Sequence, residues 1–374
     1  MPVLTPLRAG RPQILYLGRD QPASLEKCFL KGFQAAGCDV CFFDITGTRE
    51  LRCGDDTGLP FRLLMRLFER SVSRALSRRL SRFAEGKSFD LIFCHKNMLV
   101  PAELLRDLAD RSGALLYCYH PDNPLSPHRS HSNKNTHALI PIADCYFTFL
   151  RHMLPSLKQA GARRVEYLPF AYDPDLRHPA DLLDAERQQL HCPLAFVGNY
   201  APDRAEWFQH VLDFGLALWG SGWDAAYSLD ARFRQAVKGP PQYGESFCKI
   251  YSSCDIGLNI IRALQGGDGH NMRTFEAMAC GGLVMSNRTT ELVDLFLENE
   301  EMVCFSNPQE MREKVIHYLD HPGDRARIAS AGYARVKGET YSRRAQQILQ
   351  VLVQQTEKPD WVTGGSRGEN GERR

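Results

Sequence analysis

Short apolar runs alternate with helical patterns along most of the chain. The first run, 13–18, ends at a glycine and is followed by an amphipathic pattern over 25–33 and by a second apolar run at 40–43. This order predicts a β-α-β unit with a right-handed crossover, the start of a doubly wound parallel sheet. A second set of the same kind begins at 193–198. The sequence therefore predicts an α/β protein with two Rossmann-like domains.

A polar segment rich in proline and charge, 175–189, separates the two sets and marks a domain boundary. A chain of 374 residues is also longer than a single core usually grows. Beyond the second set, the pattern is helical from 322 to 355, with predicted interruptions at Gly332 and near Gly338. We predict an N-terminal domain over 12–176 and a C-terminal domain over 190–338. A terminal helix is predicted over 339–357 and a disordered tail over 358–374.

One stretch of the C-terminal domain concentrates charged groups at a helix start. A buried strand predicted at 256–261 leads through a polar loop to a helix that begins near Asn271. Arg262 and Arg273 add positive charge to this end, and Glu276 is predicted to face the same cleft. Guanidinium groups and a helix N-terminus suit a diphosphate, and a carboxylate accepts from ribose hydroxyls. A salt-bridge cluster at an ordinary helix start is an equally supported alternative.

The first turn of the second set provides further groups that can bind an anion. Gly198 and Asn199 follow its first apolar run and can bring backbone N–H groups close to a phosphate. Arg204 is predicted to reach the same anion. The alternative for Arg204 is a salt bridge with Asp203 or Glu206.

Two candidate bases follow an aromatic strand of the N-terminal domain. The run 115–119 leads into His120 and into a proline turn that contains Asp122 and Asn123. Strand ends of this kind open onto the cleft, where either side chain could take a proton from an attacking hydroxyl. The alternative is that Asp122 only caps the turn.

The donor-side stretch resembles a known signature. Asp268, seven further residues and then Glu276-Ala-Met-Ala-Cys-Gly resemble the donor site of GT-B glycosyltransferases, which have two Rossmann-like domains facing a cleft. Arg262 and the run 273–276 are similar in particular to the spore-maturation-protein-like branch, with a donor domain of the group 1 type. The resemblance implies that Glu276 binds the donor ribose and that Asp268 lies near the transferred sugar. Asn271 is a further predicted donor-binding residue. The resemblance also implies that the terminal helix, 339–357, returns to the N-terminal domain.

The resemblance extends to the acceptor side and to the reaction. Relatives commonly have an Asp-containing proline turn after an aromatic strand, and Asp122 is the carboxylate available here for the role of base. The implied activity is that of a hexosyltransferase-type glycosyltransferase, which moves a sugar from a nucleotide-diphosphate sugar to an acceptor that is a glycan, a protein or a small molecule. An epimerase or phosphorylase of the same fold and a non-catalytic nucleotide-sugar-binding scaffold are the alternatives.

No metal ion and no tightly bound cofactor are predicted. The first β-α turn contains only Gly18 of the glycine fingerprint for dinucleotides. Asp173 and Asp175 flank a proline in a linker-like segment, which argues against a metal motif. Arg262, Arg273 and the helix N-terminus are predicted to stabilise the leaving diphosphate instead.

A candidate helix over 60–83 has an arginine at every fourth position and an apolar face. A core-packed helix with a solvated basic face is the favoured interpretation. The alternative is a peripheral contact with anionic lipid on the inner membrane face.

Composition limits the partners and the location. A net charge of +2 gives no support for nucleic-acid binding. No apolar run reaches the roughly 18 residues of a membrane span, and the first ten residues lack the apolar core of a signal peptide. The twelve cysteines follow no repeating spacing and are expected to be reduced thiols. We therefore expect a cytoplasmic protein.

Overall fold

The computed structural model describes most of the chain between its first and last segments. The predicted tail at 358–374 lies outside the described part, and for 59–69 only the backbone is described. The described residues are 11–21, 24–45, 59–128, 131–262 and 268–356.

The first six strands form one parallel sheet in the order β2-β1-β3-β4-β5-β6. The central strand β3 is buried along its whole length, as expected for a parallel strand covered on both faces. The strands are β1 (Gln13–Gly18), β2 (Asp39–Asp44), β3 (Leu91–His95), β4 (Leu115–His120), β5 (Cys145–Thr148) and β6 (Val165–Tyr167).

The next six strands form a second parallel sheet in the order β12-β11-β10-β7-β8-β9. Its strands are β7 (Leu194–Val197), β8 (Leu216–Trp219), β9 (Val237–Gly239), β10 (Ile256–Asn259), β11 (Val284–Asn287) and β12 (Val303–Phe305). Its order is that of the Rossmann fold, which reverses direction between the first and fourth strands, here β7 and β10. The predicted α/β class with two doubly wound sheets is confirmed.

Helices connect the strands of both sheets. In the N-terminal half they are α1 (Leu25–Ala35), α2 (Leu59–Ala84), α3 (Ala102–Ser112), α4 (Lys134–Leu139) and α5 (Met153–Gln159). The remaining helices are α6 (Asp184–Leu190), α7 (Pro202–Phe208), α8 (Phe233–Ala236), α9 (Gly244–Ser253), α10 (Met272–Ala279), α11 (Thr290–Leu295), α12 (Pro308–Asp320), α13 (Pro322–Val336) and α14 (Tyr341–Thr356).

Two details of the second half differ from the sequence predictions. The strand predicted at 256–261 ends at Asn259. The predicted interruption at Gly332 is wrong, because α13 continues through it. Gly332 is buried, and a Cβ there would overlap the carbonyl oxygen of Glu301. This glycine therefore allows close packing of the helix and does not end it.

Helix α2 covers the stretch predicted at 60–83. Leu76 and Leu80 are fully buried, whereas Arg74 and Arg78 are exposed. An amphipathic helix that lies on a membrane inserts its apolar face, and these two leucines already lie in the protein core. Any lipid contact of this part would thus be electrostatic, through its exposed arginines. No helix in the described ranges combines the length and the apolar character needed to cross a membrane.

The last helix, α14, packs against α1 where a glycine permits close approach. A Cβ added at Gly32 would lie 2.7 Å from the carbonyl oxygen of Tyr341 and 3.1 Å from the Cβ of Ala345.

Gly32→Ala is therefore expected to lower the free energy of unfolding by about 1–3 kcal/mol, since overpacking forces the helices apart. Urea denaturation measures this change. Gly323→Ala in α13 is the matched control, because nothing lies within 4 Å of the added methyl group. An equal loss in both variants would contradict this account.

Candidate functional site

The second sheet opens a crevice where its strand order reverses. Strands β7 and β10 are neighbours there, and the connections from their carboxyl ends leave in opposite directions. Ligands of doubly wound proteins bind at such a point. Gly198 and Asn199 follow β7, and Arg262 lies shortly after β10. The backbone N–H of Asn199 has no protein acceptor in the described part of the chain, and its residue is exposed.

Arg273 crosses this crevice from the first turn of α10. Its Nε donates to the carbonyl oxygen of Val197 at 2.7 Å, and its Nη1 donates to Asn259 Oδ1 at 3.2 Å. The guanidinium lies over the ring of Phe196, 4.5 Å from its centre. A Cβ at Gly198 would overlap Arg273 Nη2. Glycine at 198 is therefore what allows the arginine to reach the end of β7.

Arg204 and Arg262 surround the same point. Arg204 Nη1 donates to the carbonyl oxygen of Asn199 at 2.7 Å, and Arg262 Nε lies 3.6 Å from Asp203 Oδ1. Burial, together with the charges of Arg273 and Arg262, lowers the pKa of Arg204 to about 9. The Nε atoms of Arg204 and Arg262 are buried without a hydrogen-bond acceptor among the described residues. Three clustered guanidinium groups with one nearby carboxylate favour binding of an anion.

Asn271 has a structural role in this geometry. It is the N-cap of α10, where its Oδ1 accepts from the backbone N–H of Thr274 at 3.2 Å. Its Nδ2 donates to Asn259 Oδ1 at 2.9 Å. The side chain predicted to bind the donor therefore fixes the start of α10 against the end of β10.

Glu276 does not contact the arginine cluster. Its Oε1 pairs at 3.0 Å with Nη2 of Arg177, a buried residue of the segment that joins the two sheets. Sequence reasoning missed Arg177, because the two residues lie far apart in the chain and no local motif links them. No hydrogen bond or ion pair to Glu276 Oε2 occurs within the described ranges. This oxygen is available to a ligand.

Asp268, which precedes α10 in the sequence, contacts the start of α11. Its Oδ1 accepts from the backbone N–H of Thr290 at 2.5 Å, and its carbonyl oxygen accepts from His152 Nδ1 at 2.9 Å. His152 belongs to the N-terminal half, just before α5. A second link follows, because the backbone N–H of Phe170 donates to His270 Nε2 at 3.0 Å. The segment before α10 therefore joins the two halves of the molecule.

Asp122 lies at the carboxyl edge of the first sheet, in an ion pair. Lys96, which follows β3, donates from Nζ to Asp122 Oδ2. Lys96 has a φ of 43°, an uncommon backbone conformation for a residue other than glycine. His131 Nε2 lies 4.0 Å from Asp122 Oδ1. Asp122 retains an 18% exposed side chain, so a ligand can reach it.

Charged groups near the two sheets influence each other. Burial lowers the pKa of His131, Asp122 raises it, and several cations including Arg262 lower it. Arg262 belongs to the crevice of the second sheet, and His131 lies beside Asp122. The structure therefore brings Asp122 and the arginine cluster to the same region between the two sheets.

His120 lies behind this surface. It is fully buried, and its Nε2 donates to the carbonyl oxygen of His131 at 2.8 Å. Burial lowers its pKa to about 4. A solvent-borne acceptor cannot reach a side chain with no exposed surface. Of the two candidate bases predicted from the sequence, the geometry therefore favours Asp122.

His120 and His95 together make stability depend on pH. Burial lowers both pKa values from 6.5 to about 4. Below pH 6.5 the unfolded chain takes up protons that the folded protein does not, so stability falls as the pH falls. Each histidine contributes about 3 kcal/mol to this fall between pH 6.5 and 4.

Urea unfolding at pH 7.5 and pH 5 tests this dependence. The loss of unfolding free energy between the two values is expected to be about 2 kcal/mol smaller in His120→Gln than in the unaltered protein. An identical loss in both proteins would show that His120 is not held neutral in the folded state.

The sequence matches a glycosyltransferase family model over part of its length. Residues 204–350 match the family described as "Glycosyl transferase-like". The matched range contains the arginine cluster and Glu276. A comparison with curated proteins found no match.

Solved structures match nearly the whole chain. Sucrose-phosphate synthase from Thermosynechococcus elongatus is 14% identical, with 92% of this chain and 99% of that chain covered and a TM-score of 0.66. HepE from Anabaena, solved in complex with UDP-glucose, is 15% identical, with 91% and 99% covered and a TM-score of 0.63. A putative UDP-N-acetylglucosamine 2-epimerase from Listeria monocytogenes is 11% identical, with 94% and 98% covered and a TM-score of 0.59. Residues 204–350 thus form a glycosyltransferase-like domain within a chain that has the two-sheet α/β fold of GT-B glycosyltransferases.

Proposed function

We propose that the protein is a glycosyltransferase that moves a sugar from a nucleotide-diphosphate sugar to an acceptor nucleophile, without a metal ion. The observation that carries this proposal is the cluster of Arg204, Arg262 and Arg273 at the crevice between β7 and β10. The positive charge of the cluster exceeds that of the nearby carboxylate of Asp203, and the excess matches the charge of a diphosphate.

The arginine cluster acts on the leaving group. As the bond between sugar and diphosphate breaks, negative charge grows on the diphosphate oxygens. Fixed guanidinium groups stabilise that charge most strongly where water is excluded, and the N-terminus of α10 contributes in the same direction. Arg273 is already held by Val197 and Asn259, so little reorganisation is needed when charge develops.

The acidic residues Glu276 and Asp268 interact with the ribose and the sugar of the donor. Glu276 accepts hydrogen bonds from the ribose hydroxyls through its unpartnered Oε2, one turn into α10 from Arg273. Asp268 lies near the transferred sugar, at the end of the loop between β10 and α10. HepE, which shares the fold, was solved with UDP-glucose, so we propose UDP as the first nucleotide to test.

Asp122 is the proposed base on the acceptor side. It takes the proton of the acceptor hydroxyl as that oxygen attacks the anomeric carbon, and the nucleoside diphosphate leaves with the bonding electrons. The proton then passes from Asp122 to solvent. The ion pair with Lys96 supports this role, because it fixes the direction of the carboxylate.

A nucleotide-sugar epimerase is the second candidate, because a putative enzyme of that kind shares the fold. An epimerase needs the donor site but no separate acceptor. The deciding experiment measures nucleoside diphosphate release from UDP-sugars with and without a panel of glycan and small-molecule acceptors. Release that requires an acceptor and yields a product heavier by one sugar supports the transferase. Conversion of the sugar without an acceptor would overturn it.

A further inference from the structure

Arg177 is a buried cation outside the arginine cluster. Arg177 is only 6% exposed, although it lies in the segment between the two sheets. Its guanidinium pairs with Glu276 Oε1 at 3.0 Å and lies 4.4 Å from the ring centre of Phe247. Nη1 donates to the carbonyl oxygen of Leu176 at 2.9 Å.

Glu276 is the one carboxylate that pairs with Arg177 in the described part of the chain. A guanidinium taken out of water is costly unless a carboxylate compensates it. Burial acts to lower the pKa of Arg177, but the charge of Glu276, the nearby Cys280 and Cys248 and the hydrogen bond with Glu276 together outweigh it, and the pKa is raised. The dependence is mutual, because the rigid guanidinium also fixes Oε1 and therefore the direction of Oε2.

The backbone of Arg177 is itself held from the N-terminal half. Its N–H donates to the carbonyl oxygen of Asp173 at 2.9 Å. Asp173 Oδ2 accepts at 3.0 Å from Lys31 Nζ of α1, and its Oδ1 accepts from the backbone N–H of Asp175 at 3.0 Å. Arg177 therefore joins a turn anchored on α1 to a carboxylate of α10.

We propose that Arg177 is a positioning residue that aims Glu276 at the ribose of a bound nucleoside diphosphate. Arg177 holds Oε1, and Oε2 accepts from the ribose hydroxyls. This inference rests on the proposed donor site, and it adds a residue from outside the matched family domain to that site.

The test compares UDP with 2′,3′-dideoxy-UDP, which lacks both ribose hydroxyls. Calorimetry gives the dissociation constant of each for the unaltered protein, Glu276→Gln, Arg177→Met and Arg177→Lys. The unaltered protein is expected to prefer UDP about 10- to 100-fold, the range of a charge-assisted hydrogen bond. Glu276→Gln and Arg177→Met are each expected to lose most of this preference, and Arg177→Lys to retain part of it. The effects of Glu276→Gln and Arg177→Met on the preference for UDP are expected to be non-additive in the variant that carries both substitutions.

The ratio of the two constants separates positioning from a general structural effect, which would weaken both ligands equally. Arg187→Met is the matched control, because Arg187 lies in the same connecting segment, is exposed and donates to the carbonyl oxygen of Ser252. It is expected to keep the full preference. If Arg177→Met does not fold, Arg177→Lys provides the comparison, since it keeps the charge and loses the planar fork.

The outcomes distinguish this inference from the donor site itself. A full preference in both Arg177 variants would overturn the positioning role and leave the donor site intact. An unaltered protein that binds both ligands equally would overturn the ribose contact and the positioning role with it. Binding of neither ligand would overturn the UDP-binding donor site on which this inference rests.

Discussion

Asp122→Asn is expected to lower turnover by a factor of about 10²–10⁴, the usual contribution of a positioned general base. Asparagine retains an oxygen that accepts from Lys96 Nζ, so the turn after β4 is expected to keep its structure. Donor affinity is expected to stay unchanged, because Asp122 contacts none of the three clustered arginines. Steady-state kinetics with a saturating acceptor measures the turnover, and calorimetry with UDP measures the donor site.

Asp107→Asn is the control for this substitution. Asp107 is exposed on α3 and pairs with Arg111, away from the crevice. Its turnover is expected to equal that of the unaltered protein. Normal turnover in Asp122→Asn would remove Asp122 from the mechanism, and a parallel loss of UDP affinity would show that the substitution disturbs the donor site.

Arg273→Ala is expected to lower turnover on the order of 10²-fold or more, because it removes a fixed donor from the leaving diphosphate. It also leaves the carbonyl oxygen of Val197 and Asn259 Oδ1 without their guanidinium partner. Arg273→Lys is expected to recover only part of the loss, since one ammonium group cannot replace both nitrogens of the fork. Steady-state kinetics measures the loss of turnover, and product inhibition by UDP measures the loss of affinity for the leaving diphosphate.

Arg288→Ala provides the matched control in the same half of the molecule. Arg288 follows β11 and pairs with Glu298 and Glu310 at a partly exposed site. Such a pair contributes little to stability, and no hydrogen bond or ion pair among the described residues joins it to the arginine cluster. Equal turnover losses in the Arg273 and Arg288 variants would contradict a specific role for Arg273.

The sheets could be predicted from the sequence because parallel strands appear as short, continuous apolar runs. The predicted strand at 13–18 agrees with β1, and the aromatic strand predicted at 115–119 agrees with all but the last residue of β4. Strand β9 was not predicted, since its three residues, Val237–Gly239, form no apolar run and are not buried. Its position at the sheet edge depends on pairing with β8, which no local pattern reveals.

The candidate site could be predicted only where residues are close in the sequence. The approach of Arg204 and Arg262 to the end of β7 follows from the strand order, because β7 and β10 become neighbours in the sheet. The partner of Glu276 could not be predicted, since Arg177 reaches it from the connecting segment. The burial of His120 could not be predicted either, because the residue ends a strand and no sequence pattern distinguishes a buried side chain from an exposed one there.

Thermal unfolding with UDP, GDP, dTDP and CMP, each with and without a chelator, tests the central claim most directly. A ligand at about 100 times its dissociation constant stabilises a protein by roughly 2.7 kcal/mol, which raises the midpoint by several degrees. The account predicts that one nucleoside diphosphate raises the midpoint and that the chelator does not change this shift. A shift that disappears with the chelator would contradict the metal-free site. Absence of any shift at millimolar nucleotide would contradict the donor site at Arg204, Arg262 and Arg273.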